Sequence, residues 1–154
     1  MYRVGIIGPE STGKSTLARY LSKRYQGIYV PEYAREYVEK KGYPDISYDE
    51  VCLIARQQID YLRSAEDGLY FFDTELVITK VWFDYRWGKV PEWLNEAIEE
   101  YKMDVYLLLA PDIEWVPDPP ARTNGSDRIR QALFDRYEQE IQALGTPYYI
   151  IKHC

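Results

Sequence analysis

Short apolar runs alternating with amphipathic stretches along the chain predict an α/β fold, a parallel sheet of about five strands with helices on both faces. Two observations carry this. Runs such as Val4-Gly5-Ile6-Ile7, Leu69-Tyr70-Phe71-Phe72 and Tyr106-Leu107-Leu108-Leu109 are too short for helices and too uniformly apolar for half-exposed strands. Between them lie segments whose apolar residues recur at helical spacing, so each strand is followed by a crossover helix and right-handed crossovers gather the strand carboxyl ends along one edge.

Tyr2-Arg3-Val4-Gly5-Ile6-Ile7 is the first strand. Gly8-Pro9-Glu10-Ser11-Thr12-Gly13-Lys14-Ser15-Thr16 follows, with Gly, four free positions, then Gly-Lys-Ser. Such a loop wraps phosphate closely only if backbone N–H groups can approach it, and Gly8 and Gly13 have no Cβ to prevent this. Lys14 supplies a point charge for the β- and γ-phosphates, and the Ser15 hydroxyl suits Mg²⁺. Leu17, Ala18, Leu21 and Tyr25 then mark a helix that ends at Gly27, and its N-terminus favours an anion. Strand, loop and helix in this order predict a three-layer P-loop NTPase fold, with Gly8, Glu10, Ser11, Thr12, Gly13, Lys14, Ser15 and Thr16 as the nucleotide cradle.

Ile28-Tyr29-Val30 is a short second strand that delivers Glu32 to the loop side of the sheet. Tyr33 to Lys41 is a helix stopped by Gly42 and Pro44. Ser47 and Glu50 form a capping box, after which Val51, Ile54, Ala55, Ile59 and Leu62 define the inner face of a long helix closed by Gly68. Leu69 to Phe72 is a buried strand ending at Asp73. Leu76 to Trp87 continues as helix with the aromatic cluster Trp82, Phe83, Tyr85 and Trp87, up to Gly88. Pro91 opens another helix, with Leu94, Ala97, Ile98 and Tyr101 inward. Asp104 to Ala110 is the next strand. A loop over about 111–128 carries Pro111, Pro117, Pro119 and Pro120 and has the length of a lid. From Asp127, the residues Ile129, Leu133, Tyr137, Ile141 and Leu144 set a last helical face, and Tyr148 to Ile151 a last strand.

The strand ends thus converge on one edge with chemistry suited to phosphoryl transfer. Asp73, at the end of an apolar strand, has the form of an acid that holds Mg²⁺ directly or through water; the same position also suits a helix N-cap. Glu32 either accepts a proton from, or hydrogen-bonds, an acceptor hydroxyl, or simply opens a helix whose dipole favours it. Arg35, one turn on, pairs with Glu32, reaches a phosphate or stays solvated. Arg122 and Arg128 sit in or beside the lid, where they can neutralise a transferring phosphoryl; Arg130 is the weaker candidate, and a solubilising role is the alternative for all. Trp115 is placed to close over a planar base, with Trp82, Phe83 and Tyr85 as the other wall if they are not core.

With 154 residues the chain fits one domain spanning 1–154, able to bury a core without metal or disulfide. The formal charge of −6 and the absence of a basic stripe argue against nucleic acid and for a small ligand whose phosphates are neutralised locally. Cys52 and Cys154 form neither a disulfide framework nor a zinc pattern, and His153 is the lone histidine, which sets aside Ser-His-Asp chemistry. No leader and no apolar run of the roughly 18 residues needed for a membrane span is present, so a reducing cytoplasm is the expected location.

With these residues in view, the sequence resembles the ribosylnicotinamide kinase domain of bacterial bifunctional NAD-biosynthesis regulators, within the nucleoside- and nucleotide-kinase-like P-loop proteins. The resemblance spans nearly the whole chain. It lies in Gly8 to Thr16, in Glu32-Tyr33-Ala34-Arg35-Glu36-Tyr37, in Phe72-Asp73-Thr74-Glu75, and in Trp115-Val116-Pro117-Asp118 with Arg122 beyond. The loop is widely shared; the Glu-Tyr-x-Arg-Glu-Tyr and Asp-Thr-acid segments are more selective. The resemblance implies ATP- and Mg²⁺-dependent phosphorylation of the 5′-hydroxyl of nicotinamide riboside to nicotinamide mononucleotide. The residues alone stop at a small-molecule phosphotransferase. Members of that family carry a nucleotidyltransferase domain ahead of the kinase, whereas this sequence starts at the first strand, which leaves a stand-alone kinase as the expectation. The resulting assignment gives Lys14 and the loop amides to ATP, Ser15 and Asp73 to Mg²⁺, Glu32 or Asp73 to the acceptor hydroxyl, and Arg122 and Arg128 to the γ-phosphate. A kinase for another nucleoside, a nucleotide or a small alcohol, and a nucleotide-dependent switch, are the alternatives; no Asn-Lys-x-Asp segment for guanine is present.

Overall fold

The structure, a computed structural model, describes residues 1–9, 12–42, 45–111 and 127–152. In chain order the elements are β1 (Tyr2–Ile7), α1 (Lys14–Arg24), β2 (Ile28–Val30), α2 (Tyr33–Lys41), α3 (Tyr48–Ser64), β3 (Leu69–Asp73), α4 (Leu76–Trp87), α5 (Glu92–Glu100), β4 (Val105–Leu109), α6 (Asp127–Leu144) and β5 (Tyr148–Ile151). The five strands form one sheet in the order β2-β3-β1-β4-β5, and every neighbouring pair is parallel. The three-layer α/β fold expected from the sequence is therefore present.

Alternation along the strands splits the core in two. Val4, Ile6, Phe71 and Leu109 face α1, which buries Ala18 against them. Ile7, Tyr70, Phe72, Tyr106 and Leu108 face the other way into a larger cluster with Val51, Ile54 and Ala55 of α3, Leu76, Val77 and Val81 of α4, and Phe134, Tyr137 and Ile141 of α6. Within α4, Phe83 is fully enclosed and makes edge contacts with Tyr48, while Trp82 and Trp87 pack against the core and Tyr85 is exposed. The aromatic run is thus mostly core and offers no wall for a base.

The capping box of α3 is present as the sequence predicts: Ser47 Oγ accepts from the Glu50 amide at 3.2 Å and Glu50 Oε1 accepts from the Ser47 amide at 3.1 Å. Such a cap stabilises by about 1 kcal/mol. Glu50 is also held by Lys41 and Tyr37, and the Lys41 ammonium, with the Ser47 amide, brings its carboxyl down to about 2.

Three expectations shift. Tyr25 lies past the end of α1 and is exposed, because Ser22 instead takes the inner position and returns its hydroxyl to the Ala18 carbonyl at 2.7 Å. The buried stripe of α6 keeps Tyr137 and Ile141 as expected but begins with Arg130 and Phe134, a partial rotation that leaves Leu133 and Leu144 at its margin. Finally, α4 is capped by Glu75 and not by Asp73.

The central strand has no spare volume at Gly5, where a Cβ would lie 2.8 Å from the Tyr106 ring. Tyr106 is itself fully enclosed and bonded to Glu75, so it cannot yield. Gly5→Ala is expected to destabilise the protein by about 1–3 kcal/mol, read as a lower urea midpoint at unchanged slope; an unshifted midpoint would show that this layer is loosely packed.

Candidate functional site

β1 ends at Ile7 and the chain crosses the carboxyl edge of the sheet before entering α1. A Cβ at Gly8 would sit 2.8 Å from the Leu109 carbonyl oxygen of β4, so only glycine lets the loop pass this close to the neighbouring strand. Gly13 is the N-cap of α1 in the left-handed region (φ 89°), and its carbonyl accepts from the Leu17 amide at 3.0 Å. The first turn of α1, with its N–H groups directed along the helix axis toward the loop, is thereby set at the edge. Thr12 is buried and its hydroxyl donates to the Pro9 carbonyl at 2.8 Å, which ties the loop to itself. The Lys14 ammonium donates to the carbonyls of Gly8 at 2.9 Å and Pro9 at 3.2 Å, lying across the loop. Thr16 is exposed. Glu10 and Ser11 lie outside the described residues.

Asp73 closes β3 directly beside this loop because β3 is the neighbour of β1, with Ile6 opposite Asp73. Its carboxylate is 1 % exposed. Oδ2 accepts from Ser15 Oγ at 2.5 Å and from the Tyr29 hydroxyl at 3.0 Å, while Oδ1 is buried with no hydrogen-bond partner. Burial, followed by the nearby Asp73 charge, raises the pKa of the Tyr29 hydroxyl, which keeps it a donor. The orphaned Oδ1 and the Ser15 hydroxyl offer two hard oxygen donors at one point, the donor type that Mg²⁺ takes. No group of three or more His, Cys, Asp or Glu side chains able to hold a metal occurs among the described residues. A site built on one carboxylate and one hydroxyl fits a Mg²⁺ ion that draws its other ligands from water and nucleotide phosphates.

The helix-cap alternative for Asp73 is excluded by the next residue. Thr74 has φ 72°, a left-handed conformation that is costly for a β-branched side chain, and its amide donates to the Ile6 carbonyl at 3.0 Å. The turn keeps Asp73 in the sheet register and passes the capping role to Glu75, whose Oε1 accepts from the Val77 amide at 3.0 Å. Thr74 Oγ1 is buried and without a hydrogen-bond partner.

Glu32 stands at the N-cap position of α2 without making a side-chain cap bond. It pairs with Arg35 at 3.5 Å, and its Oε2 is buried with no hydrogen-bond partner. Of the alternatives for Arg35, pairing with Glu32 is the one observed. Between the carboxyl ends of β2 and β3 opens a cavity of about 440 Å³. Val30, Pro31 and Tyr33 flank Glu32 on one side, and Phe72, Thr74 and Glu75 flank Asp73 on the other; Glu36 and Asp60 add carboxylates. No lysine or arginine lines it among the described residues.

Of the arginines near the lid, Arg128 is exposed and Arg130 is fully buried. Trp115, Arg122 and all but the ends of the 111–128 loop lie outside the described residues. Sequence reasoning passed over Tyr29, Thr74 and Glu75 as site residues. Tyr29 was legible only as a strand position, and nothing in a sequence signals a left-handed threonine.

A model of the AAA_28 family, an AAA domain, matches residues 3–154. The chain belongs to the AAA_28 family. Among curated relatives of this AAA_28 chain is the trifunctional NAD biosynthesis/regulator protein NadR of Salmonella typhimurium, 31% identical over 136 residues that make up 84% of this chain and 33% of the relative. The AAA_28 chain thus spans about a third of that protein's length. Among solved structures, a NadR protein in complex with NR superposes with a TM-score of 0.80 at 23% identity, covering 97% of this chain and 45% of that one. A deoxyadenosine kinase from M. mycoides with bound dATP gives a TM-score of 0.62 at 15% identity, covering 98% and 90%. At these identities the likeness is one of fold, and the family resemblance read from the sequence is borne out.

Glu75 of this AAA_28 site has a measurable signature. Burial raises its carboxyl from 4.5 to about 7, against the opposing bonds from the Val77 amide, the Tyr106 hydroxyl and the Leu76 amide. A raised folded-state pKa means that stability is fully present below the unfolded value and is lost as pH rises through about 7. The loss is on the order of 3 kcal/mol. Glu75→Gln keeps the capping oxygen but cannot ionise, so its urea stability is expected to stay nearly flat between about pH 5 and about pH 8, where the parent protein declines. Equal slopes would place the titration elsewhere.

Proposed function

We propose that this P-loop domain is an ATP- and Mg²⁺-dependent nucleoside kinase whose acceptor is nicotinamide riboside, phosphorylated at its 5′-hydroxyl to nicotinamide mononucleotide. The observation that supports the reading is the cavity beside Glu32 and Asp73, whose described lining is largely apolar and carries Glu36 and Asp60 but no lysine or arginine. An acceptor already bearing a phosphate would meet the Glu36 and Asp60 carboxylates without a cation to pair with among the described lining residues. A nucleoside whose base is a pyridinium cation meets the opposite situation, with Tyr33, Tyr61 and Phe72 as apolar surface. The NadR relative, named for NAD biosynthesis, and the NadR structure with NR support the same acceptor.

On this reading the amides of the Gly8–Ser15 segment and the Lys14 ammonium take the phosphates of ATP, with Lys14 exchanging its contacts to the Gly8 and Pro9 carbonyls for phosphate oxygens. Ser15 and Asp73 would hold Mg²⁺, which neutralises charge on the β- and γ-phosphates when bound. Tyr29 and Ser15 both hold Asp73 Oδ2, so that Oδ1 is left for the ion or a water. Glu32, whose Oε2 has no hydrogen-bond partner among the described residues, accepts the proton of the acceptor hydroxyl, with Asp73 given to the ion. The 5′-oxygen forms a bond to the γ-phosphorus as the bond to the β,γ-bridging oxygen breaks, ADP leaves with the electron pair, and the proton passes to Glu32. No covalent enzyme intermediate is needed.

The assay is transfer from ATP to a panel of nucleosides, nucleotides and small alcohols followed by mass spectrometry. Nicotinamide riboside is expected to give the largest kcat/KM, and preference for a nucleoside monophosphate would overturn the cavity argument. Lys14→Ala should abolish transfer with the fold intact by circular dichroism. Glu32→Gln is expected to lower kcat by about 10²–10⁴-fold with little change in Mg²⁺ requirement. Asp73→Asn should instead lower kcat and raise the Mg²⁺ concentration for half-maximal rate; the reverse pattern would exchange the two roles.

A further inference from the structure

We propose that Arg130, and not the adjacent Arg128, is the arginine of this site that binds the phosphate oxygens of the nucleotide donor. The inference rests on the kinase reading for the identity of the anion, but its evidence is separate. Arg130 heads the buried stripe of α6 and is 0% exposed, the largest side chain enclosed to that degree. Its ion pair among the described residues is weak: Nη1 donates to Asp127 Oδ1 at 3.3 Å, and the Asp127 side chain is 83% exposed. Nε and Nη2 are buried with no acceptor among the described residues. A guanidinium has five N–H donors and cannot shed its charge, so a buried one with two idle nitrogens is costly unless an anion completes it.

The position of the idle nitrogens follows from the topology. β4 and β5 are parallel and adjacent, so α6, which joins them, runs from the carboxyl edge of the sheet back to the amino edge. Its first turn, with Arg130, is therefore at the carboxyl edge, and its end leads to Pro147, whose carbonyl accepts from the Tyr106 amide near the start of β4. β4 borders β1, so this edge is one strand spacing from the loop that begins at Gly8. Arg130 points to the core side of α6, whereas Arg128 is exposed. A forked donor at this place, with an unused edge, matches the oxygens of a polyphosphate.

The test compares Arg130→Met, Arg130→Lys and Arg128→Met with the parent protein, using calorimetric binding of Mg²⁺-AMP-PNP and, separately, of tripolyphosphate. Arg130→Met is expected to weaken both ligands at least about tenfold, while its ligand-free melting temperature stays equal or rises, because an unpaired buried charge is removed. Arg130→Lys, which keeps the charge and loses the fork, should also bind AMP-PNP more weakly, and it serves where the methionine variant does not fold. The assignment is overturned if both Arg130 variants bind as the parent does, if Arg128→Met is the variant that weakens binding, or if the parent binds neither ligand. Arg130-dependent binding of both ligands without phosphoryl transfer to any acceptor would uphold the anion site and sink the kinase reading instead.

Discussion

The hydrogen bond from Ser15 to Asp73 is the contact on which the geometry of the carboxyl edge depends. Ser15 belongs to the first turn of α1 and Asp73 to the last residue of β3, separated by the whole of β2, α2 and α3. They meet because the chain leaves β1, lays β2 at the sheet edge and returns β3 between them. Register matters as much as order. Were β3 to slip by one residue against β1, Asp73 would turn to the opposite face and Phe72 would meet the hydroxyl. The Thr74 amide, donating to the Ile6 carbonyl, extends the ladder one step past the strand and opposes such a slip.

That last step is bought with strain. A left-handed threonine, an unpaired buried hydroxyl and a carboxyl whose burial raises its pKa to about 7 follow one another at Thr74 and Glu75. None would survive in an isolated peptide. They persist because Leu76, Val77 and Val81 lock α4 into the core immediately afterwards, and because Glu75 caps that helix. Strain held in place by packing is a common property of functional edges, and here it falls on the residues that line the cavity.

Much of this could be read from the sequence where a local pattern has a local cause. The Ser47 and Glu50 capping box, the five buried positions of α3 and the loop between β1 and α1 are all set by residues within a few turns of one another. The rotation of the α6 stripe was not legible, since counting apolar residues excludes an arginine from the inner face, yet Arg130 occupies it. Glu75 was hidden for a similar reason: a carboxylate at a helix start reads as solvated, and its burial depends on Tyr106 arriving from a strand thirty residues on. Strand order also escapes any local pattern, although it decides which acid meets Ser15. The site was legible as a set of candidates and not as a partition of roles among them.

Charge gives that partition. The chain carries a formal charge of −6, and its carboxylates are not spread evenly over the edge. On the acceptor side of the proposed kinase, Glu36 and Asp60 line a cavity that has no lining cation among the described residues. On the donor side stand Lys14 and, by the inference drawn above, Arg130. A polyphosphate placed in the acceptor cavity would meet like charge, and a cationic nucleoside placed over the loop would meet Lys14. Asp73 lies between the two, bound to the loop through Ser15 and followed by Thr74 in the cavity lining, and on the proposed kinase reading this is where the phosphoryl group would pass.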